Sequence, residues 1–247
     1  MSDYKQAVLK NFPDGFRVYL TEETGSTNDD LKAAALSGAP DLTVRIANRQ
    51  VAGRGRQNRF FFSENGLYMS VLLSVKNEVF PFVTAAAAVA VAKAIMDFTD
   101  RTVGVKWVND VFLDGKKVCG ILCESVVANE RRRVIVGIGV NLNTPEEAFP
   151  KEIRGIATSL NADRDALAKN ILTRLSYLLK QSAQTICDEY RALCFLMGRS
   201  VLIQKETGCR TATVTGLTDS LALSVRYEDG TSEELIAGDV SVQSSNK

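Results

Sequence analysis

The chain has 247 residues, 45% of them hydrophobic and 24% charged, with 30 Lys and Arg against 29 Asp and Glu for a net charge of +1. That length bounds one large domain, or one domain with a small appendage; the composition excludes wholesale disorder, and the even charge balance argues against a surface given over to nucleic acid. There is no histidine, which removes Ser-His and Cys-His dyads, His-based metal sites and the commonest general base at once.

The start, MSDYKQAVLKNF, has no apolar core of signal-peptide length. Next, FRVYLTEETGSTNDDLKAAALSG reads as a strand, a turn and a helix. Ser26 or Thr27 is the N-cap, Asp29 and Asp30 sit in the first turn, and Gly38 closes the helix with Pro40 beyond it. LTVRIANRQ alternates and is β-branched, so a strand runs into VAGRGRQNRF, residues 51 to 60. GLYMSVLLSV is another strand, followed by an Ala-rich helix from about Phe82 to Phe98. Lys93 and the alanines make that helix a poor membrane span, and no run of 18 apolar residues occurs. VGVKWVNDVFLDGKKVCGILCES reads as two strands joined at Asp114-Gly115, a strong hairpin signal. RRVIVGIGVNLN is a glycine-containing strand, and Asp165 to Met197 has the periodicity of two helices.

From Gly198 to Val242 the texture changes to short strands with Gly and Asp-Gly turns and no helix signal, as in a small β-barrel. A domain boundary is therefore placed near Gly198, giving residues 1–197 and 198–247. Strands and helices mixed with hairpins predict an α+β fold, a mixed β-sheet with helices packed on it, rather than a doubly wound sheet. The five cysteines, Cys119, Cys123, Cys187, Cys194 and Cys209, form no C-x-x-C pair. They read as reduced, buried thiols in a soluble cytoplasmic protein, with no zinc spacing and no membrane association.

The arginine-glycine stretch admits four readings: a nucleic-acid patch, a phosphate cradle, a disordered linker or a mobile lid over an anion. It is neither a Walker A loop, which ends in Gly-Lys-Ser/Thr, nor a G-x-G-x-x-G fingerprint opening a helix. Alternating Gly and Arg is costly to order but carries guanidinium forks suited to carboxylate and phosphate.

Around it lie TGSTND upstream, and KWVND (106–110), GKKVCGIL (115–122) and VGIGVNLN (136–143) downstream. Together, in this order, these motifs resemble the biotin protein ligase family over most of residues 16 to 160. The β-rich tail fits that family's C-terminal SH3-like barrel. The resemblance implies an ATP-dependent biotin–[acetyl-CoA-carboxylase] ligase. Such an enzyme forms biotinyl-5′-AMP and passes biotin to a lysine of a biotin carboxyl carrier protein, with ATP and Mg2+ as co-substrate and ion.

Position by position, it implies that Ser26, Thr27, Asn28 and Gln50 hold the ureido head of biotin. Gly53, Arg54, Gly55 and Arg56 form a loop closing over biotin and the adenylate, and Arg59 completes the arginine pattern. Phe61 packs against adenine, and Lys117 contacts first the carboxylate and then phosphoryl oxygens. Asn109, Asp110 and Asn141 lie on the nucleotide side, with Asp110 holding magnesium. Gly120, Leu122, Gly137 and Gly139 are pocket walls. The glycines also read simply as close strand packing, and Ser26 and Thr27 as a helix cap.

Two departures from the family pattern stand out. Val108 replaces the proline of K-W-P-N-D, and Gln57-Asn58 replaces an Arg-Gly pair, which bears on how firmly the lid holds the adenylate. Only about twenty residues precede the first strand, too few for the DNA-binding domain of bifunctional relatives, so a monofunctional ligase without specific DNA binding is expected. The rivals are a non-catalytic biotin or nucleotide sensor and a lipoate-type ligase of the same fold.

Overall fold

The computed structural model describes residues 5–6, 12–56, 61–62, 66–128, 130–205 and 208–242. Its larger sheet has eight strands in the order β1-β2-β3-β4-β8-β7-β6-β5. They are β1 (Lys5–Gln6), β2 (Arg17–Thr24), β3 (Thr43–Gln50), β4 (Gly66–Leu73), β5 (Val103–Lys106), β6 (Asp110–Leu113), β7 (Lys116–Ala128) and β8 (Arg131–Asn141). Only the β2–β3 pair is parallel. Parallel neighbours need a crossover, and helix α1 (Thr27–Leu36) supplies it.

Side chains alternate across the sheet and so build two cores. On one face Leu31 and Ala35 of α1 pack with Leu72, Val126 and Ile135. On the other, Val71, Val134, Val136 and Ile138 meet helix α2 (Val83–Met96), backed by α3 (Arg164–Leu178) and α4 (Ala183–Leu193). The alanines of α2 let it lie close against both the sheet and its helical neighbours, and eleven of its residues are buried. Asp163 and Ser182 cap α3 and α4 through side-chain oxygens that accept from Ala166 N and Thr185 N.

The segment read as two strands around Asp114-Gly115 is three. A turn at Trp107–Asn109 pairs Lys106 with Asp110 and divides β5 from β6; the Trp107–Val108 peptide is cis. The hairpin at Asp114-Gly115 is present, with φ values of 49° and 76° as a two-residue reversal of this hand demands.

Strands β9 (Ser200–Lys205), β10 (Gly208–Leu217), β11 (Leu223–Tyr227), β12 (Ser232–Leu235) and β13 (Asp239–Val242) form a separate antiparallel sheet in the order β12-β11-β10-β9-β13. This is the SH3-like unit appended to the α+β domain. Its β10–β11 turn docks on the larger domain: Trp107 Nε1 donates to Leu221 O at 2.8 Å, and Arg191 of α4 donates to Thr218 O at 2.8 Å. Among the described residues, no helix is long and apolar enough to cross a membrane.

Candidate active site

A cleft opens on the α1 face of the sheet because glycine occupies positions where side chains fill the sheet elsewhere. Strand register sets Tyr68, Gly139, Gly120 and Asp110 in one row across β4, β8, β7 and β6, and Ser70, Gly137 and Leu122 in the next. Further along the same face Ile135 and Val126 are buried under α1. Just beyond the helix N-terminus the bare backbone lets Asn28 and Phe61 lie on the sheet, and the cleft opens beside them.

One end is built by the start of α1. Ser26 is its N-cap, and Ser26, Thr27 and Asn28 are all buried and line the cleft. Gln50, at the end of β3, accepts through Oε1 from Thr27 N at 2.8 Å and from Thr27 Oγ1 at 3.1 Å. Asn28 donates to Glu124 Oε2 at 2.7 Å and accepts from Ser70 Oγ at 2.6 Å. This end therefore offers fixed hydroxyl and amide groups, suited to a small polar ring.

The opposite end is charged. Lys117 Nζ lies 2.7 Å from Asp110 Oδ1, and Lys106 Nζ lies 3.9 Å from Asp110 Oδ2. Asn109 Nδ2 donates to Ile121 O at 2.8 Å, and its Oδ1 accepts from Arg56 Nη1 at 3.2 Å. The lip is Arg54, Gly55 and Arg56, with Arg54 paired to Asp29 of α1. The two arginines thus reach to opposite sides, one to the helix and one to the β5–β6 turn. Gly238, in the connection between β12 and β13, also borders the cleft. Among the described residues, no three His, Cys, Asp or Glu side chains gather as a metal site.

A second cavity adjoins the first and shares Phe61, Lys117 and Gly120 with it. Its walls are largely apolar, with Phe62, Val118, Ile153, Ile156 and Ala157 around Asn141. Asn141 Nδ2 donates to Thr158 O at 3.0 Å. The ring of Phe61 lies at the junction: a Cβ on Gly139 would meet it at 2.5 Å and one on Gly120 at 3.2 Å. Close approach of an aromatic ring to bare backbone is what those two glycines permit.

The structure brings together Ser26, Thr27, Asn28, Gln50, Arg54, Gly55, Arg56, Phe61, Asn109, Asp110, Lys117, Gly120, Leu122, Gly137 and Gly139 around one cleft. Gly53 stands one residue back, packed against Gln50 and the carbonyl of Phe61. Asn141 belongs to the second cavity. Arg59 and the Gln57-Asn58 departure lie outside the described residues. Trp107 is core, buried and hydrogen-bonded to Leu221. The sequence reading missed Ser70 and Glu124, although alternation places each on the cleft face of its strand. Cys119 is buried and Cys123 partly buried, and desolvation pushes their thiols up, that of Cys123 to about 11. Both are packing groups rather than nucleophiles.

Comparison with known proteins agrees with this architecture. The sequence model of the biotin/lipoate A/B protein ligase family matches residues 20–141. The bifunctional ligase/repressor BirA of Bacillus subtilis is 38% identical over 175 residues, 66% of this chain and 54% of that protein. The chain thus spans about half the length of that relative. The biotin–[acetyl-CoA-carboxylase] ligase of Mycobacterium tuberculosis is 32% identical over 200 residues, 75% of this chain and 74% of that one. The biotin protein ligase from Aquifex aeolicus in complex with biotin and ATP superimposes with a TM-score of 0.76 at 28% identity, covering 92% of this chain and 99% of that chain. Identity, coverage and fold together make this chain a member of the biotin/lipoate A/B protein ligase family.

Proposed function

We propose that this protein is a biotin–[acetyl-CoA-carboxylase] ligase, which activates biotin as biotinyl-5′-AMP and transfers it to a lysine of a biotin carboxyl carrier protein. The observation that carries the reading is the meeting of two cavities at Lys117, Gly120 and Phe61, one polar at its far end and the other apolar around an asparagine. Two substrates entering from those ends would be joined at the lysine. The names of the relatives, and the biotin and ATP held by the Aquifex aeolicus enzyme, support the choice of substrates.

In this reading Ser26, Thr27, Asn28 and Gln50 hold the ureido ring, Leu122 and Gly137 wall it, and the carboxylate points to Lys117. Adenine enters the second cavity, against Phe61 and Asn141. A carboxylate is already ionised at neutral pH, so its attack on the α-phosphate needs no base, and the missing histidine is no handicap. What the step needs is alignment and charge neutralisation, which Arg54, Arg56 and Lys117 supply as pyrophosphate leaves. Magnesium would arrive with the nucleotide, held chiefly by phosphate oxygens and by Asp110, the only carboxylate lining the cleft among the described residues. The mixed anhydride is prone to hydrolysis, which gives the arginine lip a purpose as a lid.

In the second step the acceptor amine attacks the acyl carbon, AMP leaves and an amide forms. Free lysine has a pKa of about 10.4, so it must first lose a proton, for which Asp110 is the one carboxylate lining the cleft among the described residues. Residues 1–197 would carry this chemistry, and residues 198–247 would brace it through the turn bonded to Trp107.

The test is mass spectrometry of an apo carrier domain incubated with the protein, magnesium-ATP and biotin, beside a tube containing lipoate. One biotinyl group gained only with ATP supports the ligase. Biotin binding without transfer to any carrier points to a sensor, and lipoyl transfer points to the sister activity.

A further inference from the structure

The polar end of the cleft depends on a residue that does not itself line it. Glu124 sits on β7 two positions beyond Leu122, on the same face, with its carboxylate 2.7 Å from Asn28 Nδ2. The same Nδ2 lies 3.4 Å from Leu122 O. Both neighbours are acceptors, so both can be satisfied only by the NH2 side of the Asn28 amide. On the other side, fully buried Ser70 lies with Oγ 2.6 Å from Asn28 Oδ1 and 2.8 Å from Thr27 Oγ1; the amide oxygen carries no proton, so the Ser70 hydroxyl is the donor to it. The oxygen is the atom turned toward Gly137 in the cleft: a Cβ there would meet Asn28 Oδ1 at 2.3 Å. No cation pairs with Glu124 among the described residues, so its acceptor strength is directed at this amide.

We propose that Glu124 is a positioning residue for ligand recognition: it fixes the Asn28 amide so that an oxygen, not an NH2, faces the bound acid. An amide oxygen has two acceptor sites. Ser70 takes one, and the other is presented to an N–H of the ligand. A cyclic urea has such a donor and a dithiolane ring has none. The device thus selects, within the proposed function on which it rests, for ring heads that donate. A free asparagine amide interconverts its two ends at little cost; one held between a carboxylate and a serine hydroxyl does not. A charge-assisted hydrogen bond is the stronger kind, which makes the orientation well determined.

The experiment compares Glu124→Ala, Glu124→Gln and Ser70→Ala with the unaltered protein. Biotin and ATP binding are read by calorimetry, KM and kcat by biotin-dependent ATP–pyrophosphate exchange, and folding by thermal melting. Glutamine can still accept from Asn28 Nδ2, whereas alanine cannot. The expected result is that Glu124→Ala raises the Kd and KM for biotin about tenfold, the effect of one lost polar contact. ATP affinity and kcat should stay within about twofold, and Glu124→Gln should recover most of the loss. Ser70→Ala, which also frees Thr27, should weaken biotin selectively and at least as much.

Unchanged biotin affinity in Glu124→Ala overturns the proposal. So does an equal loss of biotin and ATP affinity, or a glutamine variant no better than alanine. Were Glu124→Ala not to fold, Glu124→Gln and Ser70→Ala would still decide: orientation predicts near-normal binding in the first and a biotin-selective loss in the second, and the reverse overturns it. Absence of biotin binding by the folded, unaltered protein would instead overturn the ligase reading itself.

Discussion

Gly137 faces the side chain of Asn28 so closely that a Cβ at that position would lie 2.3 Å from Oδ1 and 2.9 Å from Cγ. Asn28 cannot retreat, because Ser70 and Glu124 hold it on two sides. Gly137→Ala should therefore push the amide out of its bonds and into the biotin end of the cleft. Overpacking of this kind costs about 1–3 kcal/mol of stability, and biotin affinity should fall because the displaced amide occupies the ligand's space. Calorimetry with biotin checks it, and wild-type affinity in the alanine variant would remove the close approach as the reason for this glycine.

Arg56 reaches Asn109 across the cleft while Arg54 is held by Asp29. If the pair closes over the activated acid, Arg56→Ala should let biotinyl-5′-AMP escape or hydrolyse. A hydrogen bond to a charged group contributes about 1.5–3 kcal/mol, so adenylate retention should fall by roughly tenfold to a hundredfold. Biotin binding in the absence of ATP should change less. Trapping the adenylate on a desalting column measures this directly; equal retention by variant and wild type would rule the lid out.

Much of this was legible in the sequence because local rules and spacing coincide here. Ser26 caps α1 as its position between strand and helix predicts, and Asp114-Gly115 makes the hairpin its backbone preference predicts. The motifs around Lys117, Asn109 and Gly137 converge because they lie on adjacent antiparallel strands. What the sequence could not reveal is register. Nothing local says that Ser70 stands opposite Gly137, or that Glu124 faces a helix 96 positions earlier in the chain. The split of β5 from β6 was also hidden, since Val108 carries no turn signal.

Arg133 ties α1 to the sheet. It is buried, with Nη1 donating to Ala39 O at 2.7 Å and Nη2 to Ala35 O at 2.9 Å, at the C-terminal end of the helix. Ala35 O also accepts from Gly38 N at 3.1 Å, whereas Ala39 lies just past the end of α1. Arg133→Ala should remove both hydrogen bonds and cost about 1–3 kcal/mol, seen as a lower urea midpoint. Since α1 carries the biotin end of the cleft, biotin affinity should fall alongside stability. A variant as stable as wild type would show that water replaces the guanidinium at no loss.

Asp97, just after α2, accepts from Arg174 Nη2 at 2.5 Å and from Asn170 Nδ2 at 2.6 Å, joining the end of α2 to α3. The hydrogen bond from Arg174, then that from Asn170, lowers its carboxyl below the ordinary value. A carboxyl whose pKa is depressed by folding stabilises the native state at pH above its unfolded value. That contribution disappears as pH falls through the lower folded value. The pair is partly exposed, so its worth is about 0.2–1 kcal/mol. Asp97→Asn should thus lower the unfolding free energy by that amount at neutral pH. The gap should close on the acid side, below the ordinary carboxylate range, where wild type has lost the charge as well. Urea melts of both proteins at neutral and acid pH measure the two differences; a gap that persists unchanged in acid would show that the packing of Asp97, not its charge, fastens α2 to α3.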